Sequence, residues 1–243
     1  MPVLRTEAQI LFIYLAIVGV NFSETKTVSG HVYVDNYFKL YVNGGFIADD
    51  TLFKPQTATA VSFDVGDGGE NVFAIWAADN ADNLTTLEYN DTQVGDGGLR
   101  MVLDDGTVTS SAWKCKTFFR GPIDLNCTSG PKPWTTCRGE HFTMPENWWT
   151  KNFTTDDTWV SATEFTDEEV GWGRAPREGE GINPRTISWG QSRFIWTSSL
   201  LYDNTVVCRY TTPATPGGGT SLGTRLSGLT YAMVFLSLLR KLF

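Results

Sequence analysis

Short runs of alternating apolar and polar residues, each closed by a glycine-, asparagine- or aspartate-containing turn, recur along most of this chain. No stretch shows a sustained 3.6-residue apolar period, so long amphipathic helices are excluded and strands are left. The clearest example is YFKLYVNGGFIADD, residues 37–50. Phe38, Leu40 and Val42 fall on one face and Tyr37, Lys39 and Tyr41 on the other. Asn43-Gly44 then supplies the two central positions of a type I′ turn, which require φ > 0. Further strands are expected in GHVYVD, TATAVSFDV, NVFAIWAAD, GLRMVLDD, TVTSSAWKC, SRFIWTSSL and NTVVCRYTT, with Asp105-Gly106 as another turn. NVFAIWAAD is nearly continuous in apolar residues and is expected at the centre of a sheet, covered on both sides. The fold class expected is all-β, an antiparallel β-sandwich.

Residues 115–190 are less regular. They hold Pro131, Pro133, Pro145 and Pro184 and many of the chain's nine tryptophans, and they read as long loops with few strands. Four cysteines fall at 115, 127, 137 and 208. In a secreted chain an even number reads as disulfides. Three connectivities can be drawn; the preferred one joins Cys127 to Cys137 and Cys115 to Cys208. A zinc site is the rival, but there is no C-x-x-C pair and only His31 and His141 could assist.

Both ends read as processing signals. Arg5 precedes the apolar run Ile10–Val20, too short for the roughly 20 residues of a membrane span but suited to a signal peptide over 1–23. At the other end, 213–219 form a Pro/Gly/Thr linker in which Gly217, Gly218 and Gly219 are candidate attachment positions. Residues 220–243 follow as a polar spacer and an apolar tail, Leu229–Leu239, the pattern of a GPI-anchor signal. Helical hydrophobic segments are expected at both ends, and the basic pair Arg240-Lys241 leaves a short transmembrane anchor as the alternative. The domain between them, 24–212, is large enough for a full core. Sequons at Asn83, Asn90, Asn126 and Asn152 agree with a secretory route. The formal charge is −8. Such a balance argues against nucleic acid as a partner and suits an acidic extracellular surface.

Three ordered stretches carry a family resemblance. VDNYFKLYVNG resembles the ADN-x-x-x-LYVNG hairpin of galactose-binding-like jelly-roll domains. FTTDDTWVSATEF resembles their DDSSW element, and SRFIWT resembles their late A-x-W-I-W strand. Together they cover most of residues 28–212. The resemblance implies a jelly-roll sandwich, known as an accessory module of rhamnosidases and β-galactosidase-like enzymes and as a free extracellular module. Thr212 is followed by the linker and anchor-like segment, so the expectation is a module without those enzymes' catalytic domain.

For chemistry, the acidic pairs Asp49-Asp50, Asp104-Asp105, Asp156-Asp157 and Glu168-Glu169 are candidates for a glycoside hydrolase, which needs two carboxylates about 5–9.5 Å apart. Neighbouring acids on a strand face opposite sides, and no G-x-S-x-G elbow is present. VGDGG occurs at 65–69 and again at 94–98. Asp64, Asp67 and Asp96 could supply oxygen ligands to a structural calcium, the one cofactor considered; the plainer reading is two similar turns. For binding, MPENWWTKNF places Asn147, Trp148 and Trp149 in a polar loop, where aromatic faces stack on sugars and amides bond hydroxyls. Two successive tryptophans can divide, one buried and one exposed, whereas Trp76, Trp113 and Trp196 are expected in the core. The functional expectation is a non-enzymatic, GPI-anchored recognition protein that binds an extracellular glycan or glycoprotein. The alternative is an acidic matrix or adhesion component that binds protein or calcium.

Overall fold

The structure is a computed structural model that describes residues 25–51, 57–88, 93–95, 97–171 and 181–214. The expected processing segments at the two termini, Asn90, Asp96 and Gly217–Gly219 lie outside the described residues. Two antiparallel sheets make the domain. The smaller contains β1 (Thr25–Asp35), β4 (Thr59–Gly66), β8 (Gly98–Leu103), β12 (Thr163–Phe165) and β13 (Phe194–Trp196), in the order β12-β13-β8-β1-β4. The larger runs β10 (Glu140–His141), β9 (Lys114–Arg120), β14 (Asp203–Thr211), β5 (Val72–Ala78), β2 (Tyr37–Val42), β3 (Gly45–Asp50), with β11 (Val160–Ser161) also paired to β9. A ribbon of β6 (Leu87–Glu88) and β7 (Gln93–Val94) stands apart.

Alternation decides which side chains meet. On β1, β4 and β8 the inward positions are Val28, Val32, Val34, Val61, Phe63, Val65, Leu99, Met101 and Leu103. They pack against Phe38, Leu40 and Val42 of β2, Phe73, Ile75 and Ala77 of β5 and Cys208 of β14. Burying each such side chain stabilises by about 1.5–3 kcal/mol. β5 lies between β14 and β2 and is buried along both faces apart from the partly exposed Trp76, as its apolar run requires. Trp113 and Trp196 are fully buried. Trp76 differs from expectation: it points to the outer face of the larger sheet, where the Lys39 ammonium lies 5.8 Å from its ring.

The hairpin at 43–44 forms with φ of 52° at Asn43 and 87° at Gly44. Asn43 also locks the turn to the sheet, because its side-chain oxygen accepts from Val72 N at 2.9 Å and its amide donates to Asn71 at 2.8 Å. TVTSSAWKC departs from the expected strand. Only Val108 bridges back to Val102, and the chain then turns through Ser110–Trp113 before β9 begins at Lys114. The hydroxyl of Thr109, buried beside Met101 and Arg193, hydrogen-bonds where a longer ladder would run.

Both expected disulfides are present. Cys115–Cys208 joins directly opposed residues of β9 and β14, and Cys127–Cys137 closes a small loop that contains a 3-10 turn and a single helical turn, α1 (Pro133–Thr136). Their sequence separations are 93 and 10 residues. The longer closed loop restricts the unfolded chain more, by about 4–5 kcal/mol against about 2.5–3 kcal/mol. Denaturant unfolding of the two double Cys→Ala variants should therefore show the larger loss for the 115/208 pair. Equal losses would contradict this loop-entropy account.

Candidate functional site

Strand alternation turns the neighbours of the inward residues outward. On the larger sheet this outer face presents Lys39 and Tyr41 from β2, Ala74 and Trp76 from β5, Val207 and Arg209 from β14, and Lys114, Lys116 and Phe118 from β9. Water covers only part of it, since Lys39 and Lys114 are exposed whereas Ala74, Phe118, Val207 and Arg209 are buried. Part of the tryptophan-rich stretch, residues 142–159, lies across it and builds a second apolar cluster of Ala74, Phe118, Trp148, Trp159 and Val207. Tyr41, Trp76, Met144, Trp149 and Phe153 pack at its edge.

Arg209 holds this layer down. Its guanidinium donates to the carbonyls of Trp148, Thr150 (3.0 Å) and Phe153 (3.1 Å), and the Phe153 ring lies 5.1 Å from it. The residue is only 5 % exposed. Burial alone pulls its pKa down to about 10, so it remains charged at neutral pH. The far end is fixed by the DDTW element. Asp156 accepts from Thr158 N at 2.9 Å, the turn closes through Trp159 N to Asp156 O at 3.0 Å, and Trp159 enters the second cluster. Hydrogen bonds from the Thr158 hydroxyl and the Thr158 amide hold the Asp156 carboxyl below its ordinary range.

The two neighbouring tryptophans differ in burial less than an exposed-and-buried split would have it, and they do so through a turn rather than a strand. Asn147 takes the left-handed conformation, φ 60°, which asparagine tolerates better than most residues. The turn closes with Thr150 N donating to Asn147 O at 2.9 Å. Trp148 is buried at 6 %, Trp149 is half-buried and Asn147 is exposed. Trp149 lies 5.8 Å from Tyr41, whose other side meets the edge of Phe46 at 5.7 Å. Phe46 is 56 % exposed. The Asn43-Gly44 turn borders this surface: a Cβ on Gly44 would sit 3.6 Å from Thr150 Cα. The result is an aromatic surface of Phe46, Tyr41 and Trp149 with the Asn147 amide in the adjoining turn. Phe46 is the second residue of β3, after the Asn43-Gly44 turn, and no local pattern in the sequence marks it.

The aspartates named for calcium do not converge among the described residues. Asp64 is exposed on β4 and accepts from Thr27 Oγ1 at 2.7 Å, whereas Asp67 lies in the next turn, beside a 270 Å³ groove shared with Asp105 and Asn71. No group of three His, Cys, Asp or Glu side chains suited to a metal occurs among the described residues. The second VGDGG has a different use. A Cβ on Gly95 would overlap Asp79 Oδ2 and approach Glu88 Oε1 at 3.0 Å, so glycine makes room for two buried carboxylates.

Of the eight paired acids, Asp105, Asp156 and Glu169 cap local turns, Asp104 reaches across to β1, and Asp49 and Asp50 lie on β3. Asp104 accepts from Ser29 N, Asp105 from Thr107 N, and Glu169 from Thr166 N and its hydroxyl. His141 stacks on Phe119 at 4.1 Å, and its Nε2 hydrogen-bonds the Asn83 carbonyl at 2.8 Å. His31 belongs to β1 in the other sheet. Asn83, Asn126 and Asn152 are exposed. No protein-family model, curated protein or solved structure matches the chain.

If Arg209 anchors the second layer, Arg209→Met should leave three carbonyls without their donor and destabilise the protein by about 3 kcal/mol or more. Arg209→Lys, which keeps the charge but loses the fork, should fall between Met and wild type. Trypsin cleavage after Lys151 gives a local readout and should accelerate in the same order; unchanged cleavage in Arg209→Met would contradict the anchor.

Proposed function

We propose that this chain is a non-enzymatic recognition module of the cell surface that binds glycans on the aromatic surface of Phe46, Tyr41 and Trp149 beside Asn147. The observation that carries this reading is the half-buried Trp149. One side is packed on Tyr41, which fixes the ring at little entropic cost on binding, while an exposed phenyl and an amide stand nearby. Such a platform suits the apolar face of a sugar, and the amide suits its hydroxyls. The finer fold assignment is a galactose-binding-like jelly roll. Two antiparallel sheets about one core are compatible with it, and the DDTW and FIW stretches occupy a turn-to-core element and a core strand. The non-enzymatic part is supported by Asp105, Asp156 and Glu169, each committed to a local turn.

The cellular setting is proposed on the sequence: a signal peptide over 1–23, N-glycans at the exposed Asn83, Asn126 and Asn152, and a lipid anchor attached within Gly217–Gly219. Phosphatidylinositol-specific phospholipase should release the protein from intact cells. Retention on the membrane after treatment would favour a transmembrane tail instead.

A glycan array probed with the purified 24–216 fragment tests the ligand class. Wild type should bind a defined subset. Trp149→Ala and Phe46→Ala should each weaken that binding by about tenfold or more, since each removes a large apolar contact face at the centre of the proposed site. Far-ultraviolet circular dichroism should stay unchanged. Failure of the wild type to bind any glycan would sink the reading and turn attention to a matrix or adhesion role.

A further inference from the structure

The outer face of the larger sheet carries a second feature, at the end of the covering layer away from Asn147 in sequence. Lys114 of β9 and Arg209 of β14 are directly opposed cross-strand partners. Their neighbours Cys115 and Cys208 point into the core, so both cations point outward on the same face. Like charges directly opposite one another in a sheet are destabilising. This pair is the more unusual in a chain of net charge −8.

No carboxylate relieves it among the described residues. The two ion pairs there are Arg100–Asp167 and Arg120–Glu140. Lys114 Nζ donates to the Ser161 hydroxyl at 3.0 Å. Three of the five N–H groups of the Arg209 guanidinium go to the carbonyls of Trp148, Thr150 and Phe153. The acidic residue that follows in the covering segment, Asp156, is turned to Thr158 and feels Lys116. An open groove of about 420 Å³ lies against the pair, lined by Lys114, Arg209, Tyr210, Phe153, Thr154 and Thr155. It offers a nine-tenths-buried cation, an exposed cation, two threonines and the ring of Phe153, whereas the Tyr210 ring turns inward to stack on Trp113. A singly or doubly charged oxyanion matches these donors. The guanidinium suits planar or tetrahedral oxyanions, and the lysine adds a point charge.

We propose that this groove is a subsite for an anionic substituent, a carboxylate or sulfate group, on the glycan that the module recognises, with Lys114 and Arg209 as the charge-reading residues. This rests on the glycan reading above, and it makes acidic sugars the preferred class. An acidic protein would then bind an acidic ligand through a local reversal of charge.

The test compares wild type with Lys114→Glu, a change at an exposed position, and trypsin cleavage after Lys151 at the wild-type rate shows that the Arg209 anchor is intact in the variant. Calorimetry with matched neutral, carboxylated and sulfated forms of one oligosaccharide should give about tenfold tighter binding of one acidic form by the wild type. The tighter arm identifies the substituent. Raising the salt should erode that preference, and Lys114→Glu should abolish it while leaving the neutral sugar unaffected. Equal affinity for acidic and neutral forms, or a preference that survives in Lys114→Glu, would overturn the subsite. If no sugar binds at all, the glycan reading fails, and the groove is judged with inorganic sulfate. Sulfate-dependent shifts of the Lys114 and Arg209 side-chain nuclear magnetic resonances in the wild type, with the Arg209 shift lost in Lys114→Glu, would uphold an anion site. No shifts in the wild type would overturn it.

Discussion

A guanidinium taken out of water must find acceptors, and Arg209 finds them in the backbone of a segment some sixty residues earlier in the chain, the carbonyls of Trp148, Thr150 and Phe153. This requirement ties a stretch with little regular secondary structure to the outer face of an already complete sheet. The sandwich itself needs only its inner residues. The second layer follows from Arg209, from Val207 and Ala74 beneath it, and from the aromatics that close over them. The exposed aromatic surface and the cationic groove are both borders of that layer.

The layer also explains how a polar loop can hold rigid aromatics. Trp148 and Trp159 are buried as parts of a small core, not as binding groups. Their burial fixes the backbone that presents Trp149 and Asn147. Tyr41, on the strand that begins the Asn43-Gly44 hairpin, supports Trp149 from the sheet side. A hairpin that is scaffold by its turn chemistry thus contributes one ring to the candidate site and a neighbour, Phe46, from its return strand.

Much of the sandwich is legible locally. Alternation along β2 and β4, the φ > 0 demand at Asn43-Gly44 and the apolar run of β5 are properties of neighbouring residues, and they place the two sheets' inner faces. The cysteine pairing follows a preference that strand neighbours then realise. The candidate site is legible only in part. Asn147, Trp148 and Trp149 stand out by composition, and their division into buried and exposed comes from one left-handed residue. Arg209 does not stand out: within VVCRY it alternates as any solvent-facing charge would. Nothing near it in sequence reports that residues 142–159 will cover it. The same holds for Trp76, expected inside and found under Lys39, and for the Lys114–Arg209 opposition, which exists only in the register between β9 and β14. Tertiary covering, rather than local propensity, decides these positions.

Residues 142–159 must form a packed layer, and not a mobile loop, for either border to exist. Amide hydrogen exchange of the native protein measures this directly. The amides of Phe142, Thr150, Phe153 and Trp159, bonded to the carbonyls of Phe118, Asn147, Thr150 and Asp156, should be protected well beyond peptide rates and should exchange together as one cooperative unit. Exchange of all four at the rates of an unstructured peptide, while β5 and β14 remain protected, would contradict it.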